Sequence, residues 1–349
     1  MMRIGKFTDF YRDVTKAGTK IPQEKYLKVG HYPVIDQGRQ AIVGRWDSDD
    51  GICKEIPAII FGDHTRAIKY IEEPFFIGAD GVKILRPVNV QDNPKYLYYA
   101  LQAARIPNLG YSRHFKALKE LDFHVCSIEK QDEIVRILEK IDYLIEQCHE
   151  EDSCLNQIVK SRFIELFGDP KDNPKGYSKK QLKETCRVIT GNTPSRAVSE
   201  YYGDHIEWIK TDNIVSGLLN PTTATESLSE KGMAVSRTVE SGAILMACIA
   251  GSIASIGRVC VTDRKVAFNQ QINAIVPSDY NILFLYVMLQ ISKEYLVDEI
   301  NMALKGILSK SKLEEKTFYV PPMELQEQFA AFVTQVDKSK LCSEMEVAA

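Results

Sequence analysis

Several short motifs of this 349-residue chain combine residue types that do chemistry or hold ligands. Gly62-Asp63-His64-Thr65-Arg66 sets an acid beside an imidazole, the parts of an acid–base pair. A nuclease also needs a spaced carboxylate set for Mg²⁺ with a lysine at hand, and no such set presents itself. The segment reads instead as a loop that positions backbone or touches DNA. Eight cysteines stand at 53, 126, 148, 154, 186, 248, 260 and 342 without a Cys-x-x-Cys pair, so no zinc site is expected. Scattered thiols of this kind fit small buried or surface residues in a reducing cytoplasm. No catalytic residue, cofactor or metal is assigned.

The polar loop motifs suit contact with nucleic acid better. Tyr111-Ser112-Arg113-His114 is either a phosphate or base-edge contact or a surface turn. Thr193-Pro194-Ser195-Arg196 and Lys210-Thr211-Asp212-Asn213 are similar, Asn and Arg being the side chains that fit adenine and guanine edges. Asn269-Gln270-Gln271 either reads bases or caps and pins a strand, and Lys305-Gly306 with Lys310 and Lys312 is a candidate phosphate clamp. The candidate DNA contacts are therefore Arg39, His64, Arg66, Ser112, Arg113, His114, Ser195, Arg196, Lys210, Asn213, Asn269, Gln270, Lys305 and Lys310. Trp46 and Trp208 read as core or rim residues. Asn93-Pro94-Lys95-Tyr96 has the outline of an adenine-methylase motif, but no glycine-rich cofactor loop accompanies it. It reads as a turn and helix start with Pro in the first position.

The elements that carry these motifs occur twice. Phe123-His124-Val125-Cys126-Ser127-Ile128-Glu129-Lys130-Gln131 stands 195 residues before Phe318-Tyr319-Val320-Pro321-Pro322-Met323-Glu324-Leu325-Gln326. Gly81–Pro87 matches Gln271–Pro277 at an offset of 190, and Ala58–Phe61 echoes Ala243–Met246 at 185. An offset that grows along the chain is what small insertions in one copy produce. Apolar runs at Ala58–Phe61, Val82–Leu85, Val259–Val261 and Gln271–Val276 predict strands, and Pro94–Arg105 and Ile282–Ile291 predict helices. From Ile128 to Phe167 no Pro or Gly interrupts a 3-4 spaced apolar stripe that Gly168-Asp169-Pro170 ends. At roughly 1.5 Å per residue this is a rod of roughly 60 Å.

A second helix follows Pro321-Pro322. A single stripe needs cover, and the other helix of the chain is the nearest candidate. Ile134, Ile141, Leu144, Leu155, Ile158, Phe329, Phe332 and Val336 are its expected contact residues. The reading is α+β: two mixed α/β domains, 1–125 and 170–320, joined by helices 126–169 and 321–349 in an antiparallel coiled-coil stalk. Matched at offset 195, the second helix is shortened against the first.

The formal net charge of −3 hides a partition along these boundaries. Residues 1–125 and 170–320 carry +4 and +2, whereas the helices 126–169 and 321–349 carry −6 and −3. Mildly basic lobes and an acidic rod suit lobes on phosphate and a rod facing proteins. The longest apolar run, Ala243 to Ala250, is far short of the roughly 20 residues of a membrane helix. The N-terminal residues lack an apolar signal region, so a cytoplasmic protein is expected.

The segment Phe318 to Gln328, with its Val-Pro-Pro and Gln-Glu-Gln, resembles the conserved region of type I restriction–modification specificity subunits. Its first copy, from Phe123, lacks the two prolines. Tyr32–Gly38, Ile60–Arg66, Gly78–Gly81 and Gly110–Phe115 are similar to one class of that family's target-recognition domain. Thr190–Ser195, Trp208–Ile214 and Ala267–Asn273 are similar to another. The resemblance implies a DNA reader without chemistry of its own, each domain reading one half of a split, asymmetric double-stranded site. It implies as partners two modification (methylase) subunits and the restriction subunits, with the helical spacer as a ruler. A self-sufficient DNA-modifying or DNA-cleaving enzyme and a protein-only scaffold are the alternatives.

Overall fold

The strand Ala58–Gly62 is the axis of the first half of the chain, and all five of its residues are buried. Val82–Pro87 and Ile68–Ile71 flank it antiparallel, and Tyr11–Asp13 completes a four-stranded sheet. Side chains alternate across such a strand. Ile59 and Phe61 join Phe7, Tyr11 and Leu97 on one side, while Ala58 and Ile60 join Ile35, Phe75 and Ile84 on the other. Burial on both faces is the reason its sequence is an unbroken apolar run. A second sheet holds Gly44–Trp46, Tyr32–Ile35 and Phe76–Ile77, the last two parallel. Helix Pro94–Ala103 starts where the Asn93 carboxamide oxygen accepts from Lys95 N–H at 2.9 Å and Tyr96 N–H at 3.2 Å.

The computed structural model describes residues 2–78, 80–110, 112–298, 300 and 306–348, with side chains as far as 340. It divides into two units, Met1–Tyr143 and Leu144–Ala349. Both mix helix and strand, and the second repeats the first in strand order: Cys186–Thr190, Ile272–Pro277, Ile244–Ala247, Val259–Val261. The register carries the duplication further. Ile59 pairs with Leu85 and Ile244 with Ile275, which requires the offsets of 185 and 190 together. A third correspondence frames each unit. Arg3–Lys6 pairs antiparallel with Asp122–Val125, and Ser178–Gln181 with Thr317–Val320, so the first strands stand 175 residues apart and the second 195. The predicted fold class, a tandem of two mixed α/β domains, is the one observed.

The long helix runs Ile128–Phe167, 40 residues. Gly168 ends it with φ +80°, and its N–H donates to Ile164 O at 2.8 Å. Within the second unit its last turns lie antiparallel to helix Met323–Ala348. Lys340 Nζ donates to Asn156 Oδ1 at 2.8 Å, whereas Phe163 and Phe167 meet Phe329 at ring distances of 5.4 and 5.7 Å. Phe329 and Val336 are buried in this seam, with Leu155 and Phe332 packed beside it.

The remaining expected stalk contacts require correction. Ile134 packs into the core of the first unit. Ile141, Leu144 and Ile158 stay 43, 39 and 46% exposed. The reason is helical phase. Residues 131, 135, 139 and 142 face the first unit, where Lys95 pairs with Glu139 at 3.0 Å and Tyr99 donates to Asp142 at 2.6 Å. That turns Ile137 and Ile141 outward, while Ile158, half exposed, lines a groove with Phe332 at the rim of the helix pair. Among the described residues no helix is long and apolar enough to cross a membrane.

Candidate nucleic-acid interface

The C-terminal ends of strands Tyr32–Ile35, Ala58–Gly62 and Phe76–Ile77 open into three turns that hydrogen bonds tie together. Asp63 N–H donates to Gly81 O at 2.7 Å, His64 N–H to Gln37 Oε1 at 3.3 Å, and Thr65 Oγ1 to Gln37 O. Beneath them Lys69, 8% exposed, donates to Asp36 O at 2.9 Å, and burial lowers its pKa. A fourth segment, 106–114, joins through His114. Its N–H and Nδ1 both reach Asp63 O, at 2.8 and 2.9 Å, and its Nε2 accepts from Leu109 N–H at 3.0 Å. An N–H donor on one side and a carbonyl on the other define a neutral ring protonated at Nδ1.

His114 is thus wholly buried with both nitrogens in use, and it positions the loop instead of touching DNA. The Asp63 carboxylate is equally committed, accepting from Phe115 N–H at 2.7 Å, so it forms no acid–base pair with the exposed His64. What this edge offers to solvent is Arg39, His64, Ser112 and Arg113. Arg66 stands half-buried at φ +60°, its Nη1 donating to Ile106 O at 3.1 Å. The Lys20 ammonium, 2.8 Å from Asp80, holds that carboxyl below its usual range, with Arg113 acting from further away.

The second unit builds the same edge from Ile206–Ile209, Ile244–Ala247 and Val266–Phe268. Asn192 is the organiser here. Its N–H donates to Phe268 O at 3.1 Å, its Nδ2 to Val235 O at 3.0 Å, and its Oδ1 accepts from Arg237 N–H at 2.8 Å. Two further candidates prove structural. Asn213 is 7% exposed, with its oxygen on Lys210 N–H and its Nδ2 on Thr222 and Thr223. Asn269 is 6% exposed and folds back on Gln271 through both ends of its amide. These buried carboxamides are engaged within their own turns, where they hold the chain's local course.

Ser195, Arg196 and Gln270 are exposed at this edge, with Gln270 accepting from Thr193 Oγ1. Lys210, half-buried, pairs with Glu226 at 2.8 Å. Lys310 begins the Lys310–Glu315 helix behind its Ser309 cap and stands 3.5 Å from Glu314. Lys305 and Tyr111 lie outside the described residues. Gln37, Asn192, Glu226 and Arg237 are the participants that sequence reasoning missed. Gln37 and Asn192 fall inside quoted motifs, but Glu226 has no local signal at all.

Close approach rather than chemistry explains Gly191. A Cβ there would run into the carbonyl oxygens of Phe268 and Asn269, the backbone that carries the neighbouring turn. Gly191→Ala is expected to lower the stability of the second unit by about 1–3 kcal/mol. Urea unfolding followed by Trp208 fluorescence in a Trp46→Phe background checks this, and an unchanged midpoint would contradict the packing.

Among the described residues no group of His, Cys, Asp or Glu could hold a metal ion. The Cys186, Cys248 and Cys260 thiols are buried, which pushes each pKa up to about 12 and leaves them inert. The edge therefore holds donors and cations supported by buried polar turns, an arrangement for binding.

Residues 3–153 and 174–345 match the family model described as the type I restriction modification DNA specificity domain. Over 120 residues the chain is 32% identical to the type I restriction enzyme HindI specificity subunit of Haemophilus influenzae, covering 34% of this chain and 25% of that protein. Over 170 residues it is 27% identical to the type I restriction enzyme MjaIX specificity subunit of Methanocaldococcus jannaschii, covering 47% and 38%. The aligned stretches thus span less than two-fifths of either relative's length. A crystal structure of a type I restriction–modification system S subunit from M. genitalium aligns with 100% of this chain and 92% of that one. The TM-score is 0.55 at 15% identity, a likeness of fold. The two matched stretches fall on the two repeated units and take in most of the sequence. The chain belongs to the type I restriction modification DNA specificity domain family.

Proposed function

We propose that the chain is the DNA-sequence-specificity subunit of a type I restriction–modification complex. Each unit reads one half of a bipartite, asymmetric double-stranded site with the loops at its strand ends. The protein carries out no chemistry itself and directs modification and restriction subunits to the site, in the cytoplasm. The observation that supports this most is the duplication of the loop edge. Two units of the same strand order each carry such an edge, and the side chains they expose there differ, Arg39, His64 and Arg113 in one and Ser195, Arg196 and Gln270 in the other. A common scaffold with divergent tips suits two readers of two different half-sites. Linking them turns two weak contacts into one bipartite contact through effective concentration.

The test is to combine the chain with its modification subunits and sequence the methylated DNA. A recurring two-part motif with methylated adenine is expected, and methylation scattered without a motif would sink the reading. The purified chain alone, given Mg²⁺ or a methyl donor, is expected to leave DNA unchanged. Arg113→Ala should relax or weaken one half of the motif by about 1–3 kcal/mol and leave the other half intact. Equal loss on specific and unrelated duplexes would mark Arg113 as a phosphate contact instead.

A further inference from the structure

The loop edge of the second unit holds an arginine that is ordered before any ligand arrives. The Arg196 guanidinium carbon lies 4.5 Å from the ring centre of Tyr202 and 5.3 Å from that of Trp208. Both rings are pinned by the segment that leads into Arg196. Tyr202 OH donates to Pro194 O at 2.8 Å, and Trp208 Nε1 to Asn192 O at 3.3 Å. They meet edge to face, 6.2 Å apart at 74°. From the neighbouring segment Glu226 accepts Arg196 Nη2 at 2.6 Å with one oxygen and Lys210 Nζ at 2.8 Å with the other. These two bonds, that of Lys210 first, hold the Glu226 carboxyl below its usual range. Arg196 itself is 57% exposed at the side chain, and its Nε and Nη1 carry no hydrogen bond among the described residues.

Long surface arginines ordinarily lose rotamer freedom when they bind. Arg196 has given up much of that freedom in the free protein, which favours a precise contact. Its chemistry narrows what that contact is. Glu226 is shared between Arg196 and Lys210, so the trio keeps a net charge of +1, but the carboxylate beside the guanidinium weakens its pull on a phosphate. The edge of a base is neutral, so Glu226 does not oppose it. Nη2 keeps a second N–H beyond its bond to Glu226, and with the free Nε or Nη1 beside it forms a fork with no acceptor, which matches the paired O6 and N7 acceptors of guanine and no other base edge in the major groove. Cytosine would need an acceptor, and both oxygens of Glu226 are taken.

We propose that Arg196 reads one guanine of the half-site bound by the second unit, with Glu226 as the positioning residue that holds its fork. This deepens the DNA-reading function proposed above and rests on it.

The experiment selects bound duplexes from a random-sequence pool, using the chain assembled with its modification subunits. The wild type is expected to enrich a two-part motif with a guanine in one half. Arg196→Lys keeps the charge but not the fork, and should reduce the preference for that guanine by about tenfold or more. The other positions, including the whole other half, should persist, and their persistence reports a folded protein. Glu226→Gln should retain the same guanine with a weaker preference. An Arg196→Lys motif identical to the wild type overturns the proposal. So does an Arg196→Ala variant that loses affinity equally for selected and random duplexes, the mark of a phosphate contact. If the wild type enriches no motif, the DNA-reading function fails and takes this assignment with it.

Discussion

Phe163→Ala is expected to lower the stability of the second unit by about 3–5 kcal/mol. Its ring has no exposed surface and lies 5.2 Å from Phe284 and 5.4 Å from Phe329, with Phe167 at 5.2 Å completing a four-ring cluster. Those rings come from three elements: the long helix, helix Ile282–Ile291 and helix Met323–Ala348. Truncation therefore opens a cavity where rigid elements meet and none can collapse alone. The measurement is denaturant unfolding followed by Trp208 fluorescence in a Trp46→Phe background. Phe163→Leu, which preserves most of the volume, should cost less than half as much. A loss under 1 kcal/mol for the alanine variant would mean that the helix pair adds little to the core of its unit.

Gln131→Leu is expected to cost the first unit about 3–5 kcal/mol, and Gln326→Leu the second unit about 2–4 kcal/mol. Both side chains are fully buried. Gln131 accepts from Asn93 N–H at 2.8 Å and donates to Asp92 Oδ1 at 2.8 Å and Cys126 O at 3.0 Å. Gln326 accepts from Asn281 N–H at 2.9 Å and donates to Pro321 O at 2.8 Å. In the first unit the glutamine fastens the capping asparagine of helix Pro94–Ala103 to the start of Ile128–Phe167, and in the second that of Ile282–Ile291 to the start of Met323–Ala348. Leucine is nearly isosteric, so what is lost is the satisfaction of buried donors and acceptors. The larger loss belongs to Gln131, because the Asp92 carboxylate, 2% exposed, is one of its partners. Trp46 and Trp208 report the two units separately. The reverse order of losses would show that Arg3, which also pairs with Asp92, compensates.

Those two glutamines also show what was legible in the sequence. Their repetition at offset 195 was visible, and so were the strands Ala58–Gly62, Val82–Pro87, Val259–Val261 and Ile272–Pro277, because buried apolar runs leave a pattern in residue type. The framing correspondence at 175 was not. Lys6-Phe7-Thr8-Asp9 and Gln181-Leu182-Lys183-Glu184 share little but a function: Asp9 and Glu184 accept from the N–H three residues back, at 2.7 and 2.6 Å. A hydrogen-bond role can persist while the residue changes. The site was legible as a set of loops and much less so as a set of side chains. His114, Asn213 and Asn269 have the polarity of base readers, yet each is consumed by backbone in a turn. Only tertiary partners separate the two fates. Glu226 is the converse case: nothing near it in sequence points to Arg196, 30 residues earlier. The apolar stripe misled in a third way, since its spacing was right but its phase put Gln131 and Val135 inward and Ile137 and Ile141 outward.

The paired strands that frame each unit have a consequence for how such a protein can change. Arg3–Lys6 lies beside Asp122–Val125, and Ser178–Gln181 beside Thr317–Val320. The stretch between the two strands of each pair thus begins and ends at one place, a cassette closed at its base. Lengthening a turn inside it, as the growing offset records, leaves the base unmoved. Exchanging the whole cassette would likewise demand a match at one short ribbon alone, so new loop tips can be acquired without rebuilding the helices that flank them.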